Sequence, residues 1–134
     1  MLEVKKFQMR EVCDEVGLTY ETLKYYCNEG LVPNHKRDSN NYRIFDEKDV
    51  GWIKGLVKLR ECGMSISDMK AYMLLCYEGK ASVPERKQML EATRKNLEEE
   101  MARIKESLAF IDQKQAYYDG VVSGDFILTS NLIK

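Results

Sequence analysis

The chain has 134 residues, enough for one compact domain with an extension and too few for two ordinary domains. Its 44% apolar and 32% charged residues describe a soluble, helix-rich protein and argue against disorder. The formal net charge of −1 excludes a uniformly basic surface, but basic residues gather locally, at Lys36, Arg37 and Arg43 against Asp38 alone, and at Lys54, Lys58 and Arg60.

The first helix is expected from Gln8 to Val16, because Met9, Val12, Cys13 and Val16 recur at helical spacing and Gly17 supplies a stop. Thr19 is an N-cap for a second short helix with one face at Tyr20, Leu23, Tyr26 and Cys27, ended by Gly30. Two short helices separated by a tight turn form a helix-turn-helix pattern. After Leu31-Val32-Pro33, the turn residues Asp38-Ser39-Asn40-Asn41 and the strand-favouring Tyr42-Arg43-Ile44-Phe45 predict a β-hairpin, or wing. Asp46 and Asp49 open a third helix running to Gly63, and Ser65 with Asp68 opens a fourth running to Gly79.

Ser82 and Glu85 read as a capping box, with Pro84 tolerated in the first turn, so a long last helix is expected from there to Gly120. Along it Leu97, Met101, Ile104, Leu108 and Ile111 step by 4, 3, 4 and 3 residues, and Leu90 and Tyr118 keep the same register. This is a coiled-coil seam; packing on the helix's own domain is the alternative, though it usually shows a wider apolar face. An antiparallel register centred near Glu106 pairs Ile104 with Leu108 and Met101 with Ile111, and a one-heptad slip satisfies the periodicity equally. The fold class expected is therefore mainly α: residues 1–78 a winged helix-turn-helix, 79–120 a linker and dimerisation helix, and 121–134 a short apolar tail. That tail, from Val121 through Phe126 and Leu128 to Ile133, suits either capping of the seam or lining a crevice for a small ligand.

Chemistry-bearing residues concentrate in the second helix and the wing. The N-terminal residues of the second helix in such a motif reach base edges in the major groove, which here means Thr19, Tyr20, Glu21, Thr22 and Lys24. Tyr25 and Tyr26 point about 100° apart on a helix, so one can enter the core while the other presents its hydroxyl to phosphate, or both can be core. Arg37 and Arg43 on the two arms of the wing, with Tyr42 beside Arg43, suit phosphate contacts that position the protein without reading sequence. The four cysteines at 13, 27, 62 and 76 contain no Cys-x-x-Cys pair and meet only one histidine, His35, so no metal site is expected and most are read as small packing residues. No cofactor is expected, and no phosphate-cradling loop or carboxylate pair suggests an enzyme. Charges at Glu3, Lys5 and Lys6 and the short uncharged stretch from Phe126 to Ile133 predict neither signal peptide nor membrane span, hence a cytoplasmic location.

Taken in order, several runs resemble the MerR family of bacterial transcription regulators. They are Thr22-Leu23-Lys24-Tyr25-Tyr26, Glu29-Gly30-Leu31-Val32-Pro33, Arg37, Asn41-Tyr42-Arg43-Ile44-Phe45, Asp49 and Leu59-Arg60-Glu61-Cys62-Gly63-Met64-Ser65. The likeness covers residues 7 to 78. Lys24 stands where the family usually has Arg, which keeps the charge and loses bidentate geometry, and Cys27 stands where an acidic residue is common. The resemblance implies a homodimer joined by an antiparallel coiled coil. It also implies binding to a pseudo-palindromic promoter that is bent and untwisted so that RNA polymerase engages. By that resemblance DNA contacts fall on Lys24, Tyr25, Arg37, Tyr42 and Arg43, with Arg60 in the helix pair acting as a second wing; Lys58, in the same basic stretch, is a further DNA-binding candidate.

The input is less defined. No cysteine follows Cys76, so a cysteine-loop metal sensor is not expected, and the length beyond Asp119 does not accommodate a large drug-binding domain. A short subgroup that responds to aldehydes or nitrosative stress uses a cysteine that falls at Lys58 here. Cys62, one turn away, is the candidate substitute, and a small-molecule effector stays open. Two competing readings are a helical protein-interaction adaptor without DNA binding and a small architectural DNA binder; the long seam argues against the second.

Overall fold

The computed structural model describes residues 5–133. In chain order the elements are β1 (Phe7–Gln8), α1 (Met9–Val16), α2 (Tyr20–Asn28), β2 (Lys36–Arg37), β3 (Arg43–Phe45), α3 (Glu47–Glu61) and α4 (Ile66–Tyr77). A 3-10 turn (Gly79–Ser82) and α5 (Val83–Ser123) complete them. The chain forms two compact units, with the division between Arg94 and Lys95, inside α5.

In the first unit, α1 buries Met9, Val12 and Cys13 and ends at Gly17, whose φ of +77° lies in the left-handed region that side chains other than glycine's resist. The Thr19 hydroxyl accepts the Thr22 N–H at 3.2 Å and starts α2, whose inner face is Leu23, Tyr26 and Cys27. Leu31 and Val32 then enter the core, which also holds Phe45, Ile53, Leu56, Met64 and Met69. Fully burying each such aliphatic or aromatic side chain stabilises the fold by roughly 1.5–3 kcal/mol.

The wing carries one strand more than the expected hairpin. β3 is the centre of a three-stranded antiparallel sheet in the order β1-β3-β2, with Phe7 opposite Phe45 and Gln8 opposite Ile44. A two-residue strand leaves no alternation to read; only pairing with β3 makes Phe7–Gln8 extended. The turn between β2 and β3 is built by Asp38, whose Oδ1 accepts the N–H groups of Asn40 at 2.9 Å and Tyr42 at 3.0 Å. Asn41 there takes φ +66°, a value asparagine tolerates better than most residues.

Asp46 and Asp49 cap α3 reciprocally: the Asp49 N–H donates to Asp46 at 2.9 Å and the Asp46 N–H to Asp49 at 3.0 Å. Ser65 accepts the Asp68 N–H at 3.0 Å and starts α4. The Ser82–Glu85 capping box is not the device that opens α5. The Ser82 hydroxyl is buried and turned back, its one proton shared between the carbonyls of Leu75 and of Gly79, the latter at 3.0 Å, while it accepts from Arg86 Nε at 2.9 Å. The Leu75 carbonyl already accepts the Glu78 N–H at 3.0 Å and the Gly79 carbonyl accepts from Arg86, so Ser82 joins a hydrogen-bonded cluster that closes the turn between α4 and α5.

The second unit is the rest of α5 with the tail. The helix does not stop at Gly120; it runs to Ser123, and Gly124 at φ +88° turns the chain. Gly120 has another job. The Phe126 ring lies on it, so closely that an added Cβ would stand 2.0 Å from Phe126 Cδ2. Phe126 stacks on Tyr117 with ring centroids 6.0 Å apart, and the Tyr117 hydroxyl donates to the Ile127 carbonyl at 3.0 Å and accepts the Thr129 N–H at 2.9 Å. The tail thus folds back along the end of its own helix. Among the described residues no helix is long and apolar enough to cross a membrane.

Candidate nucleic-acid interface

The expected interface residues all lie in the first unit. On α2, Tyr20, Glu21, Lys24 and Tyr25 are exposed, while Thr22 is half-buried and shares a 2.8 Å hydroxyl–hydroxyl hydrogen bond with Thr19. Glu21, Lys24, Tyr25 and Asn28 fall at i, i+3, i+4 and i+7, one face of the helix, opposite the buried face. Tyr25 and Tyr26 divide as their spacing allows: Tyr26 is 3% exposed and Tyr25 47%. The roles are separated by backbone geometry alone.

Glu29, the C-cap of α2, forms a 2.7 Å ion pair with Lys70 of α4. Lys70 holds the Glu29 carboxyl below the usual carboxylate range, with a smaller contribution from Tyr25. On the wing, Arg37 and Arg43 are direct cross-strand partners. Arg37 donates to the Asn41 carbonyl at 2.8 Å and Arg43 to the side-chain oxygen of Asn28 at 2.7 Å. Both acceptors are neutral, and among the described residues neither arginine forms an ion pair. Beneath them, burial pushes the Cys27 thiol up, an effect partly offset by nearby Arg43 and Arg37.

At the α3–α4 turn, Arg60 donates to the Met64 carbonyl at 2.9 Å and its charge is felt by the buried Tyr26 hydroxyl, which places it beside α2. Lys58 is exposed and pairs loosely with Glu61 at 3.4 Å. Cys62 is half-buried at the C-cap of α3, and all four cysteines are free. Among the described residues no group of three or more His, Cys, Asp or Glu side chains could hold a metal ion.

Two residues belong with this surface that linear reading passed over. Arg10, at the start of α1, joins Tyr20, Arg37, Tyr42 and Arg43 around a cleft of about 440 Å³. Asn28 holds Arg43 across fifteen residues of sequence. Neither has a linear signal, because pairing of β1 with β3 brings the start of α1 to the wing, and Asn28 looks like an ordinary helix-end residue. Three arginines and two tyrosines line this cleft with one carboxylate, Asp38, which is engaged by the N–H groups of Asn40 and Tyr42, and the basic surplus suits phosphate oxygens.

The element order and this surface define a winged helix-turn-helix. A family model described as "MerR HTH family regulatory protein" matches residues 7–75. An uncharacterized HTH-type transcriptional regulator of Haemophilus influenzae is 32% identical over 108 residues, covering 81% of this chain and 80% of the relative. The HTH-type transcriptional regulator AdhR of Bacillus subtilis is 38% identical over 87 residues, covering 65% and 62%. Among solved structures, HiNmlR, a MerR family regulator lacking the sensor domain and bound to promoter DNA, is similar with a TM-score of 0.77 at 29% identity, covering 89% of this chain and 90% of that one. A MerR family regulator from Listeria monocytogenes is similar with a TM-score of 0.76 at 27% identity, covering 88% and 89%. The chain belongs to the MerR family of helix-turn-helix transcriptional regulators.

Proposed function

We propose that the chain regulates transcription as a homodimer that binds a pseudo-palindromic promoter, with residues 1–78 contacting DNA, 79–120 pairing the two copies and 121–134 forming a tail on the pairing helix. The observation that carries this is the wing: two opposed arginines held by neutral acceptors, beside an α2 whose outer face is Glu21, Lys24 and Tyr25. Lys24, Tyr25, Arg37, Tyr42, Arg43 and Arg60 take phosphates, with Lys58 adding charge, while Thr19, Tyr20, Glu21 and Thr22 approach base edges. A relative with this architecture is bound to promoter DNA.

Pairing rests on α5, where Leu90, Leu97, Met101, Ile104, Leu108, Ile111 and Tyr118 are 38% to 55% exposed. Burying such a stripe against a second copy gains about 25 cal/mol per Å² of apolar surface. Two DNA-binding units joined in this way can bend and untwist the promoter between them and so present it to RNA polymerase. The deformation costs on the order of several kcal/mol, offset by phosphate contacts. The surface binds and deforms rather than catalyses, and the chain acts in the cytoplasm, where its promoter is. Of the four thiols, Cys62 and Cys76 are the less buried, and Cys62 adjoins the turn that holds Arg60, so an electrophilic small-molecule input would act first there.

Footprinting on the promoter upstream of the chain's own gene, repeated across a salt series, tests the reading. Protection of two half-sites that weakens steeply with salt is the expected result. Absence of protection at low salt would leave the protein-adaptor alternative.

A further inference from the structure

Arg43 is tied to the recognition helix by one side chain. Its Nη2 donates to Asn28 Oδ1 at 2.7 Å, and its buried Nε finds no hydrogen-bond partner among the described residues. The last turn of α2 carries no basic residue of its own. The guanidinium from the wing therefore meets the negative end of the α2 dipole, where a cation is favoured. Asn28 adds a directional bond there without adding charge. A carboxylate at 28 would form an ion pair and neutralise the group; an alanine would leave the wing anchored through Phe45 in the core but would free the Arg43 guanidinium from α2.

We infer that Asn28 is a positioning residue for DNA recognition: its neutral amide locks Arg43, and with it the wing, to the end of α2, so that wing and recognition helix meet one duplex as a single rigid surface with the arginine charge intact. This rests on the reading that Arg43 takes a backbone phosphate. The bond is charge-assisted and holds a side chain that must otherwise be ordered at binding, so its loss is expected to weaken binding roughly fivefold to tenfold.

The test uses the full chain and a duplex recovered by wild-type protein from a random-sequence pool, with affinity measured by fluorescence anisotropy between low and moderate salt. Asn28→Ala is expected to weaken binding by that factor with the salt slope nearly unchanged, because the charge of Arg43 remains. In an Arg43→Ala background the same substitution is expected to change nothing. Asn28→Asp keeps the acceptor, and so keeps the wing docked, but neutralises Arg43. It is expected to weaken binding and lower the slope by about 0.9 per phosphate, or about 1.8 for a dimer. Wild-type affinity and slope in both single variants, or an undiminished Asn28→Ala effect without Arg43, would overturn the inference. Should Asn28→Ala melt well below the wild type, Asn28→Asp decides alone: a slope equal to wild type overturns the inference. Failure of the underlying reading looks different, since wild-type protein would then recover no duplex.

Discussion

Arg37 and Arg43 stand directly opposite each other across the wing, each bound to a neutral oxygen. Like charges at facing positions destabilise a strand pair by up to about 1 kcal/mol, so the arrangement is a cost in the free protein that an anion between or beside the arms relieves. Removing one of the two charges should therefore cost DNA affinity while costing little or no stability. Arg37→Ala is expected to leave the melting transition within about 0.5 kcal/mol of wild type. The same variant is expected to lower the salt slope of duplex binding by about 0.9 for each phosphate it no longer neutralises. Thermal melts and a salt-titrated binding series on the same preparation check both halves.

The seam on α5 leads to a second expectation. Ile104 and Leu108 are each more than half exposed, and a charge placed there has no buried partner in a paired helix. Ile104→Lys or Leu108→Lys should convert a dimer into a monomer in sedimentation equilibrium while the helical signal of the first unit persists. A dimer of unchanged stability in both variants would remove the seam from the interface.

At the other end of the helix, Gly120 and Phe126 occupy the same space. Gly120→Ala places a methyl 2.0 Å from the Phe126 ring, with a rigid aromatic rather than a flexible chain as the obstacle. The tail is expected to detach, raising amide exchange at Thr129, whose N–H donates to the Tyr117 hydroxyl. Adding Phe126→Ala removes the clash but also the stack on Tyr117, so the double variant should exchange no faster than Phe126→Ala alone.

Asp49 supplies a pH dependence with a definite sign. Burial raises its carboxyl above the ordinary 3.8, partly opposed by the hydrogen bond from the Asp46 N–H. A raised folded value means that the protonated form favours folding, so its contribution is present below the unfolded value and is lost as pH rises through the folded one. Asp49→Asn abolishes that titration. The stability of the variant relative to wild type is thus expected to increase as pH climbs from below 3.8, and urea melts at several pH values would show it. A constant difference across that range would contradict the burial argument.

The helices and their ends were legible in the chain because the forces that set them are local. Thr19, Asp46 and Ser65 each accept an N–H three residues on, Gly17 and Gly30 take left-handed conformations, and apolar residues at helical spacing become buried faces. The separation of Tyr25 from Tyr26 and the exposed apolar stripe on α5 follow from the same periodicity. Three features required the folded chain, and each involves competition between distant groups. β1 exists only because β3 pairs with it, which also brings Arg10 to the wing. Ser82 turns its hydroxyl away from α5, to the Leu75 carbonyl of α4 and the Gly79 carbonyl of the 3-10 turn. Gly120 is read as a stop from its type alone, yet it lies within the helix, where its missing side chain leaves room for Phe126 six residues later. Local propensity and period determined the helices and which of their faces are buried; contacts between segments far apart in sequence decided which neighbours Arg43, Ser82 and Gly120 would serve.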